Sequence, residues 1–418
     1  MPSVIIIGGG IIGLCSAYYL QQLGNNVTII DKTDMLDGCS YGNAGYLSPS
    51  HFVPLSNPNI VMDGLKWMFS SKSPFYVQPR LNANLINWGR QFIKSASVAH
   101  IQKSAIPLRD ISLLSKKLYE DLATTDGFDF QLENKGMMEF FQTHKSLHHA
   151  KDIVRISNKL GLETYLLSKS EVEKMEPDLR FDILGAIYFK CDAHLYPNKL
   201  MADLIANLQV KGVNIQTSTE ATGFVTENNK IKVIHTTKGD FFGDEVVLSS
   251  GAETGDIARM LNIKIPMIGG RGYSVTFDEP PFKVHHPIIL QEARVAITPM
   301  AGKLRFGGTM EITSLDSLPK LKRVLGIFES IKRYFPASDL QMPAPEKIWY
   351  GFRPCSADGL PYIGRVGTLK NLVIASGHSM LGLSLGAATG KMVSEIINTL
   401  QPSIDLTAFK PSRFTRNI

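Results

Sequence analysis

Residues 4–31 read VIIIGGGIIGLCSAYYLQQLGNNVTIID and decide the fold class. Residues 4–7 are a short β-branched run, which is typical of a parallel strand buried on both faces. The glycine-rich residues 8–13 follow it and fit the pattern G-x-G-x-x-G. The next apolar residues predict a helix that ends near Gly24, and residues 27–30 predict a second strand. This order predicts an α/β unit that consists of a strand, a tight turn, a helix and a second strand.

The turn and the residue after the second strand have the features of a dinucleotide-binding site. One of the first glycines makes the turn, another lets backbone amides approach a pyrophosphate, and Gly13 lets helix and strand pack closely. Asp31 follows Gly13 at close to the spacing of roughly 20 residues expected for an acid that hydrogen-bonds an adenosine ribose. An acid here favours a free ribose 2′-hydroxyl, whereas Lys32 by itself is more typical of a solvated charge. The alternative is a plain glycine-rich turn, but the full context favours dinucleotide binding.

Length and charge narrow the class of protein. A chain of 418 residues has room for two or three domains. The net charge of +6 comes from scattered basic residues, which argues against a nucleic-acid-binding arm but leaves an anionic membrane surface or substrate open. Four cysteines without a C-x-x-C pair, and histidines without H-E-x-x-H, predict neither a disulfide framework nor a bound metal. We therefore expect an enzyme-sized protein of a reducing compartment.

Residues 1–30 carry no charged side chain, as in a signal peptide or a membrane anchor. However, no Lys or Arg precedes the apolar run, and its four glycines would weaken a membrane helix. We therefore interpret this segment as a buried strand, turn and helix.

The middle of the chain favours FAD over a nicotinamide cofactor. Residues 197–210 have the spacing of an amphipathic helix. Residues 219–226, 230–237 and 246–248 then predict three strands joined by short turns. A nicotinamide-binding fold would have helices where this β-meander lies.

Near the C-terminus, a predicted strand at residues 372–375 leads into a helix that extends to about Ile397. Gly382, Gly386 and Gly390 lie on one face of this helix, where each glycine costs about 1 kcal/mol relative to alanine. One interpretation is close packing of the helix on the sheet. The other is that the helix N-terminus faces the flavin C2 carbonyl and stabilises charge on the reduced ring. Both can hold at once.

The chain resembles FAD-dependent D-amino-acid dehydrogenases of the D-amino-acid oxidase superfamily over nearly its whole length. The resemblance rests on the N-terminal glycine motif and on further motifs in the order seen in that family. These are SYGNAG at 40–45, DAHLYP at 192–197, RGYS at 271–274, GGTME at 307–311, GFRP at 351–354, DGLP at 358–361 and GHSMLG at 377–382. Residues 404–406 and 409–414 also look like the end of that family.

The resemblance implies an α/β protein with a Rossmann-like FAD-binding domain of the D-amino-acid oxidase superfamily and an interleaved α+β substrate domain. The FAD-binding domain would comprise residues 1–60, 191–261 and 346–418. The substrate-binding domain would comprise residues 61–190 and 262–345.

The resemblance also implies which residues contact FAD: the N-terminal motif, a second flavin-contacting loop, a turn near the adenosine, and the start of the last helix. The residues are Gly8, Gly10, Ile11, Ile12, Gly13, Asp31, Lys32, Ser40, Asn43, Ala44, Gly45, Gly251, Gly377, His378, Leu381, Gly382, Leu383 and Ser384. Related sarcosine oxidases attach flavin covalently through a Cys at the position that looks like Gly351, so we expect FAD to be bound non-covalently here.

Arg353 is the leading candidate for substrate binding. Strand alternation puts it on the same face as Gly351, which leaves space beside it. A planar guanidinium can hold the carboxylate of an amino acid through two hydrogen bonds. The alternative is an ion pair with Asp358.

Three further residues are pocket candidates. Tyr273 shares a strand face with Val275, so it is either a core aromatic with a hydrogen-bonded hydroxyl or a second ligand of the substrate carboxylate. His51 follows the second flavin loop, and His378 precedes the last helix. A lone histidine in a loop is more often unrelated to chemistry.

The resemblance implies oxidative deamination of D-amino acids by hydride transfer from Cα to flavin N5. The imino acid would be hydrolysed to a 2-oxo acid, and a quinone-type acceptor would take the electrons. Alternatives within the fold are a dehydrogenase for a cyclic D-amino acid such as hydroxy-D-proline and an oxygen-using oxidase for glycine or a secondary amine. Met380-Leu381, where related oxidases often have Arg-Asn, favours a dehydrogenase. A flavin-binding RNA-modification or assembly subunit is the alternative from another class, which the dispersed charge disfavours.

Residues 54–79 combine apolar and basic side chains but are too short and broken to span a bilayer. They predict either a peripheral membrane contact or a cover that packs inward. We expect a cytoplasmic protein, with a peripheral position on the cytoplasmic face of the inner membrane as the alternative.

Overall fold

The computed structural model describes residues 1–58 and 72–414. The strands in these ranges are β1 Ser3–Ile7, β2 Asn26–Ile30, β3 Tyr46–Leu47, β4 Phe75–Val77, β5 Met137–Phe141, β6 Thr164–Ser168, β7 Gly185–Phe189, β8 Ala193–His194, β9 Asn214–Gln216, β10 Ala221–Glu227, β11 Lys230–Thr236, β12 Gly239–Phe241, β13 Glu245–Leu248, β14 Met267–Phe277, β15 Ile288–Leu290, β16 Val295–Met300, β17 Lys303–Ile312, β18 Ile348–Ser356, β19 Tyr362–Val366 and β20 Leu369–Ser376.

The α-helices in the same ranges are α1 Ile11–Gln22, α2 Ala83–Ser95, α3 Val98–Ala123, α4 His144–Lys159, α5 Lys169–Met175, α6 Pro197–Val210, α7 Thr254–Met260, α8 Leu321–Tyr334 and α9 Gly382–Ile397. Short 3-10 helices lie at Gly251–Glu253, Pro345–Lys347, Thr407–Phe409 and Pro411–Phe414. None of the helices that the structure describes is long and apolar enough to cross a membrane.

The N-terminal unit forms the centre of a six-stranded sheet with the order β19-β20-β13-β1-β2-β9. All neighbours are parallel except β19, which runs antiparallel to β20. Val4 and Ile6 pack on the side of α1, α6 and α9, whereas Ile5 and Ile7 pack on the side of α7 and a small meander. The prediction of a strand buried on both faces is therefore confirmed.

The meander consists of β10, β11 and β12. Our prediction was wrong about its third strand, because residues 246–248 belong to β13 and pair with β1 in the parallel sheet. Residues 239–241 supply the third strand instead. Short apolar runs fit a meander edge and a buried parallel strand equally well, so the pattern alone did not distinguish them.

The glycine face of α9 packs against α1 rather than on the sheet. A Cβ at Gly390 would overlap the backbone of Cys15, and a Cβ at Gly386 would lie 2.9 Å from the Ile11 side chain. These glycines therefore let two helices approach each other closely beside the turn that follows β1.

A nine-stranded sheet forms the second large element of the described chain, with the order β18-β14-β17-β16-β15-β5-β7-β6 and β4 beside β17. One face packs under α8 through a core that includes Tyr273, Phe306 and Ile327. β18 lies in this sheet, although residues 346–418 are predicted to belong to the FAD-binding domain. The predicted domain boundaries stay a prediction.

Half of the segment predicted to contact a membrane surface, residues 59–71 of 54–79, lies outside the described residues. Phe75 and Tyr76 are described, and they pair with β17 through β4.

Candidate active site

A cleft with a volume of about 1130 Å³ is lined by residues from both large sheets. It brings together the turn after β1, the loops after β2, the end of β18 and the start of α9. Most of the predicted site residues line it, including Arg353, Tyr273 and His51. Those predicted to contact the cofactor are Gly8, Gly10, Ile11, Ile12, Asp31, Lys32, Ser40, Asn43, Ala44, Gly251, His378, Leu381, Gly382, Leu383 and Ser384. Gly13, Gly45 and Gly377 are not part of the lining.

The turn between β1 and α1 can be built only with glycine at two positions. Gly8 has a φ of +107°, and a Cβ there would lie 2.7 Å from the Ser249 carbonyl oxygen. A Cβ at Gly13 would overlap the carbonyl oxygen of Gly8. The N-terminus of α1 has no side-chain cap from Gly10, and the Ile11 amide donates to Ser40 Oγ at 3.0 Å. Apart from the Ile11 amide, the first turn of the helix has its amides free of partners among the described residues at the cleft end, where a pyrophosphate would bind.

Asp31 is fixed at the end of β2. Its carboxylate accepts hydrogen bonds from the amide of Gly9 at 2.7 Å and from the amide of Thr33 at 2.8 Å. Lys32 forms an ion pair with Glu253, which follows the cleft residue Gly251. The acid and the Gly251 turn thus lie at one end of the cleft, as the adenosine end of a dinucleotide requires.

Arg305 holds the loop that is predicted to be the second flavin-contacting loop, and it was not among the predicted site residues. Its buried guanidinium donates to the carbonyl oxygens of Tyr41 at 2.8 Å and Asn43 at 2.6 Å, and to Asn198 Oδ1 at 2.9 Å. Burial lowers the pKa of Arg305 to about 10. Within the loop, the Gly45 amide donates to Asn43 Oδ1 at 2.8 Å. Arg305 stands between two buried apolar residues in β17, and a basic residue in that position is the signal that could have found this role.

These features fit FAD. A Cβ would fill the glycine turn, and both α1 and α9 begin at the cleft without a side-chain cap from their own N-cap residue. The buried Nδ1 of His378, next to the start of α9, has no hydrogen-bond partner among the described residues. The cleft therefore offers backbone donors at both places where a flavin dinucleotide carries acceptors.

Arg353 lies on the cleft face of β18. A Cβ at Gly272 on the neighbouring strand would overlap its guanidinium, so that glycine provides the space for Arg353. Nη1 donates to the Thr309 carbonyl oxygen at 2.7 Å, and burial lowers the pKa of Arg353. The alternative ion pair is wrong, because both oxygens of Asp358 accept from Arg413, at 2.7 and 2.9 Å. Within residues 1–58 and 72–414, Arg353 has no carboxylate partner.

Tyr273 belongs to the cleft lining, but its side chain projects to the face of the sheet opposite Arg353, into the core under α8. Its hydroxyl donates to Glu311 Oε2 at 3.0 Å and accepts from the Lys320 amide at 2.9 Å. This is the first of the two predicted interpretations, a core aromatic with a hydrogen-bonded hydroxyl. These two partners already use the hydroxyl, so this position does not favour binding of the substrate carboxylate by Tyr273, which stays a prediction.

The two candidate histidines are neutral near pH 7. Burial and the charge of Arg294 lower the pKa of His51 to about 4. Burial lowers the pKa of His378 to about 3, and its Nε2 lies 3.0 Å from Thr389 Oγ1. Neither ring is therefore a cation, and each can accept a hydrogen bond.

Known proteins are similar to this chain over nearly its full length. The D-amino acid dehydrogenase of Granulibacter bethesdensis is 27% identical over 413 residues, which cover 96% of this chain and 97% of that protein. The D-amino acid dehydrogenase of Helicobacter pylori is 29% identical over 394 residues and 94% of each chain. The D-amino-acid oxidase of Bradyrhizobium diazoefficiens is 28% identical over 417 residues and 98% of each chain.

Solved structures show the same fold. Glycine oxidase from Geobacillus kaustophilus superposes with a TM-score of 0.78 at 23% identity, covering 100% of this chain and 99% of that one. L-proline dehydrogenase from P. horikoshii gives a TM-score of 0.73 at 21% identity, with 99% and 97% covered. The predicted fold class is confirmed.

The family model described as DAO, FAD dependent oxidoreductase, matches residues 3–396. The predicted cofactor, FAD, and the predicted enzyme class are confirmed as well. The chain therefore belongs to the DAO family of FAD-dependent oxidoreductases.

Proposed function

We propose that the protein oxidises free D-amino acids to imino acids, which water converts to 2-oxo acids and ammonia. A quinone-type acceptor, rather than oxygen, takes the electrons from the enzyme. The observation that carries this proposal is Arg353, a half-buried guanidinium at the cleft with no carboxylate partner in the described part of the chain. A cation that is partly removed from water without a counterion carries a desolvation cost, and the carboxylate of an amino acid would compensate for that cost.

The names of the relatives support a D-amino acid as the substrate. Two of them are called D-amino acid dehydrogenase and one D-amino-acid oxidase, and all three are aligned over at least 94% of this chain. The alternative from another class, a flavin-binding RNA-modification or assembly subunit, has no such support.

The side chains of the cleft have separate tasks in this function. Arg353 binds the substrate carboxylate through two hydrogen bonds, which fixes the position of Cα. Ile153, Phe189 and Ile289 add an apolar wall that excludes water from part of the cleft. FAD, when bound, accepts the two electrons and the hydride that leave Cα.

An oxygen-using D-amino-acid oxidase is the second candidate, because one relative with 98% coverage carries that name. The two candidates differ only in the acceptor. A quinone acceptor also implies a contact with the membrane, and that contact is part of the proposal. Half of the segment predicted to make it, residues 59–71, lies outside the described ranges.

Reoxidation of the reduced enzyme separates these candidates. Enzyme reduced anaerobically by a D-amino acid would be mixed with air-saturated buffer or with a water-soluble quinone analogue. We expect rapid return of the flavin absorbance with the quinone and slow return in air. One peroxide released per amino acid at the rate of turnover in air would contradict the dehydrogenase assignment.

A further inference from the structure

A buried carboxylate, Asp192, lies outside the contacts assigned so far. Its side chain is fully buried, and both of its oxygens accept hydrogen bonds from Ser50. The Ser50 amide donates to Oδ1 at 3.0 Å, and the Ser50 hydroxyl donates to Oδ2 at 2.5 Å. Asp192 therefore holds both the backbone and the side chain of Ser50, the residue before His51.

This arrangement determines which ring nitrogen of His51 carries the hydrogen. The Ser50 hydroxyl has a single hydrogen, which is directed at Asp192, so its oxygen can only accept from His51 Nδ1 at 3.2 Å. The ring is then the Nδ1–H tautomer, with a lone pair on Nε2. Nε2 has no hydrogen-bond partner in the described residues. It is also not one of the buried side-chain atoms that lack a partner there, so it is accessible from the cleft. Since His51 lines the cleft, this lone pair is available to a ligand.

The loop that carries His51 and the strand that carries Arg353 both make hydrogen bonds to the start of α9 or to the residues just before it. The Ser48 amide donates to Ser384 Oγ at 2.9 Å, and the Ser379 amide donates to the Pro354 carbonyl oxygen at 2.8 Å. Ser379 lies just before α9 and Ser384 lies in its first turn, so the loop and the strand both approach the start of this helix. His51 and Arg353 both line the cleft there. An α-amino acid carries its amino group, a hydrogen-bond donor, on the carbon next to its carboxylate.

We propose, on the basis of the function proposed above, that His51 Nε2 accepts a hydrogen bond from the amino group of the substrate. Ser50 and Asp192 are positioning residues that hold the ring in the accepting tautomer. With the carboxylate at Arg353 and the amine at His51, two substituents of Cα are fixed. The direction of the Cα–H bond toward the flavin then depends on the configuration of the substrate. The neighbouring cation Arg294 favours a neutral amine at this position.

We call the hydrogen bonds from His51 to Ser50 and from Ser50 to Asp192 the relay. Asp192→Asn tests it because the substitution reverses the direction of the two hydroxyl hydrogen bonds without removing them. The Ser50 amide still needs an acceptor, so the Asn oxygen takes the place of Oδ1 and its NH₂ group faces the Ser50 hydroxyl. The hydroxyl then donates to His51 Nδ1, and the ring presents Nε2–H to the amine. We expect kcat/KM to fall about 10- to 100-fold at pH 8, since a buried N–H group of the substrate loses its acceptor.

The pH dependence provides a readout that a purely structural role would not change. Burial raises the pKa of Asp192 to about 7. The titratable groups around Asp192 are Lys116, Cys191 and Tyr46, and the charged group near His51 is Arg294. Below that pH the protonated carboxyl donates to Ser50, so the wild-type relay is reversed as in the variant. We therefore divide kcat/KM of the wild type by kcat/KM of Asp192→Asn at each pH. This ratio should be close to 1 at low pH and should rise as the pH increases through 7. Ionisation of the substrate affects both enzymes and cancels in this ratio.

Binding of an analogue without an amino group separates His51 from Arg353. Propionate, which has a carboxylate but no amine, should bind His51→Ala with a Kd within about twofold of wild type. The kcat/KM of His51→Ala for D-alanine should fall by about 10- to 100-fold.

Two results would overturn the inference. One is a ratio of wild-type to Asp192→Asn kcat/KM that does not change with pH, and the other is a wild-type kcat/KM in flavin-loaded His51→Ala. If no amino acid reduces the wild-type flavin, the proposed function itself fails. If the wild type is reduced and the ratio is flat, only this inference fails.

Discussion

Arg353→Ala is expected to raise the KM for the amino acid steeply and to lower kcat/KM by about 100- to 10,000-fold. Two hydrogen bonds from a guanidinium to a carboxylate are lost, and each bond to a charged group contributes about 1.5–3 kcal/mol. The flavin should still bind, because its predicted contacts lie on the other elements of the cleft. Steady-state kinetics together with the flavin-to-protein absorbance ratio check both expectations.

Tyr273→Phe is the matched control for Arg353→Ala. Tyr273 lies on the adjacent strand, but its side chain is on the opposite face and its hydroxyl is bonded to Glu311. We expect an unchanged KM and a free energy of unfolding lower by about 1 kcal/mol. Wild-type kcat/KM in flavin-loaded Arg353→Ala, or a KM effect of Tyr273→Phe as large as that of Arg353→Ala, would contradict the assigned positions.

Gly13→Ala is expected to yield protein with little bound FAD and a lower melting temperature. The added methyl group would overlap the carbonyl oxygen of Gly8, so α1 would have to move away from the turn that receives the pyrophosphate. Overpacking of this kind costs about 1–3 kcal/mol, and the displaced amides would no longer face the cofactor.

Gly89→Ala is the control for this substitution. Gly89 lies inside α2, and a Cβ there meets nothing within 4 Å. We expect full flavin content and a free energy of unfolding that is unchanged or raised by up to about 1 kcal/mol, since alanine favours helix. Flavin absorbance and thermal unfolding of both variants provide the comparison. Wild-type FAD content in Gly13→Ala would argue against the assigned role of the turn.

Local pattern was sufficient to predict much of the fold. The β-branched run, the glycine turn and the acid at the end of β2 are close in sequence, so their order alone indicated the parallel unit. The helix Pro197–Val210 was predicted with the observed bounds because its apolar residues follow the helical period. The third strand of the meander was assigned wrongly because strand pairing depends on residues that are distant in sequence, which a local pattern does not include.

The same difference between local and distant contacts applies to the site. Strand alternation was sufficient to predict the face of Arg353, since the neighbouring glycines leave room on one side. The relay was not predicted, because Ser50 and Asp192 are 142 residues apart. The motif that contains Asp192 was noted, but nothing in the sequence indicates which residue the carboxylate contacts. The partner of Arg305 was missed for the same reason, since it holds a loop 262 residues away.

The central claim is that the cleft holds an amino acid so that its Cα delivers a hydride to the bound flavin. The most direct test is anaerobic addition of the D and L enantiomers of single amino acids to the FAD-loaded enzyme. We predict that D enantiomers abolish the visible flavin absorbance and that L enantiomers do so far more slowly. A flavin that dithionite reduces but that no amino acid bleaches would contradict the account.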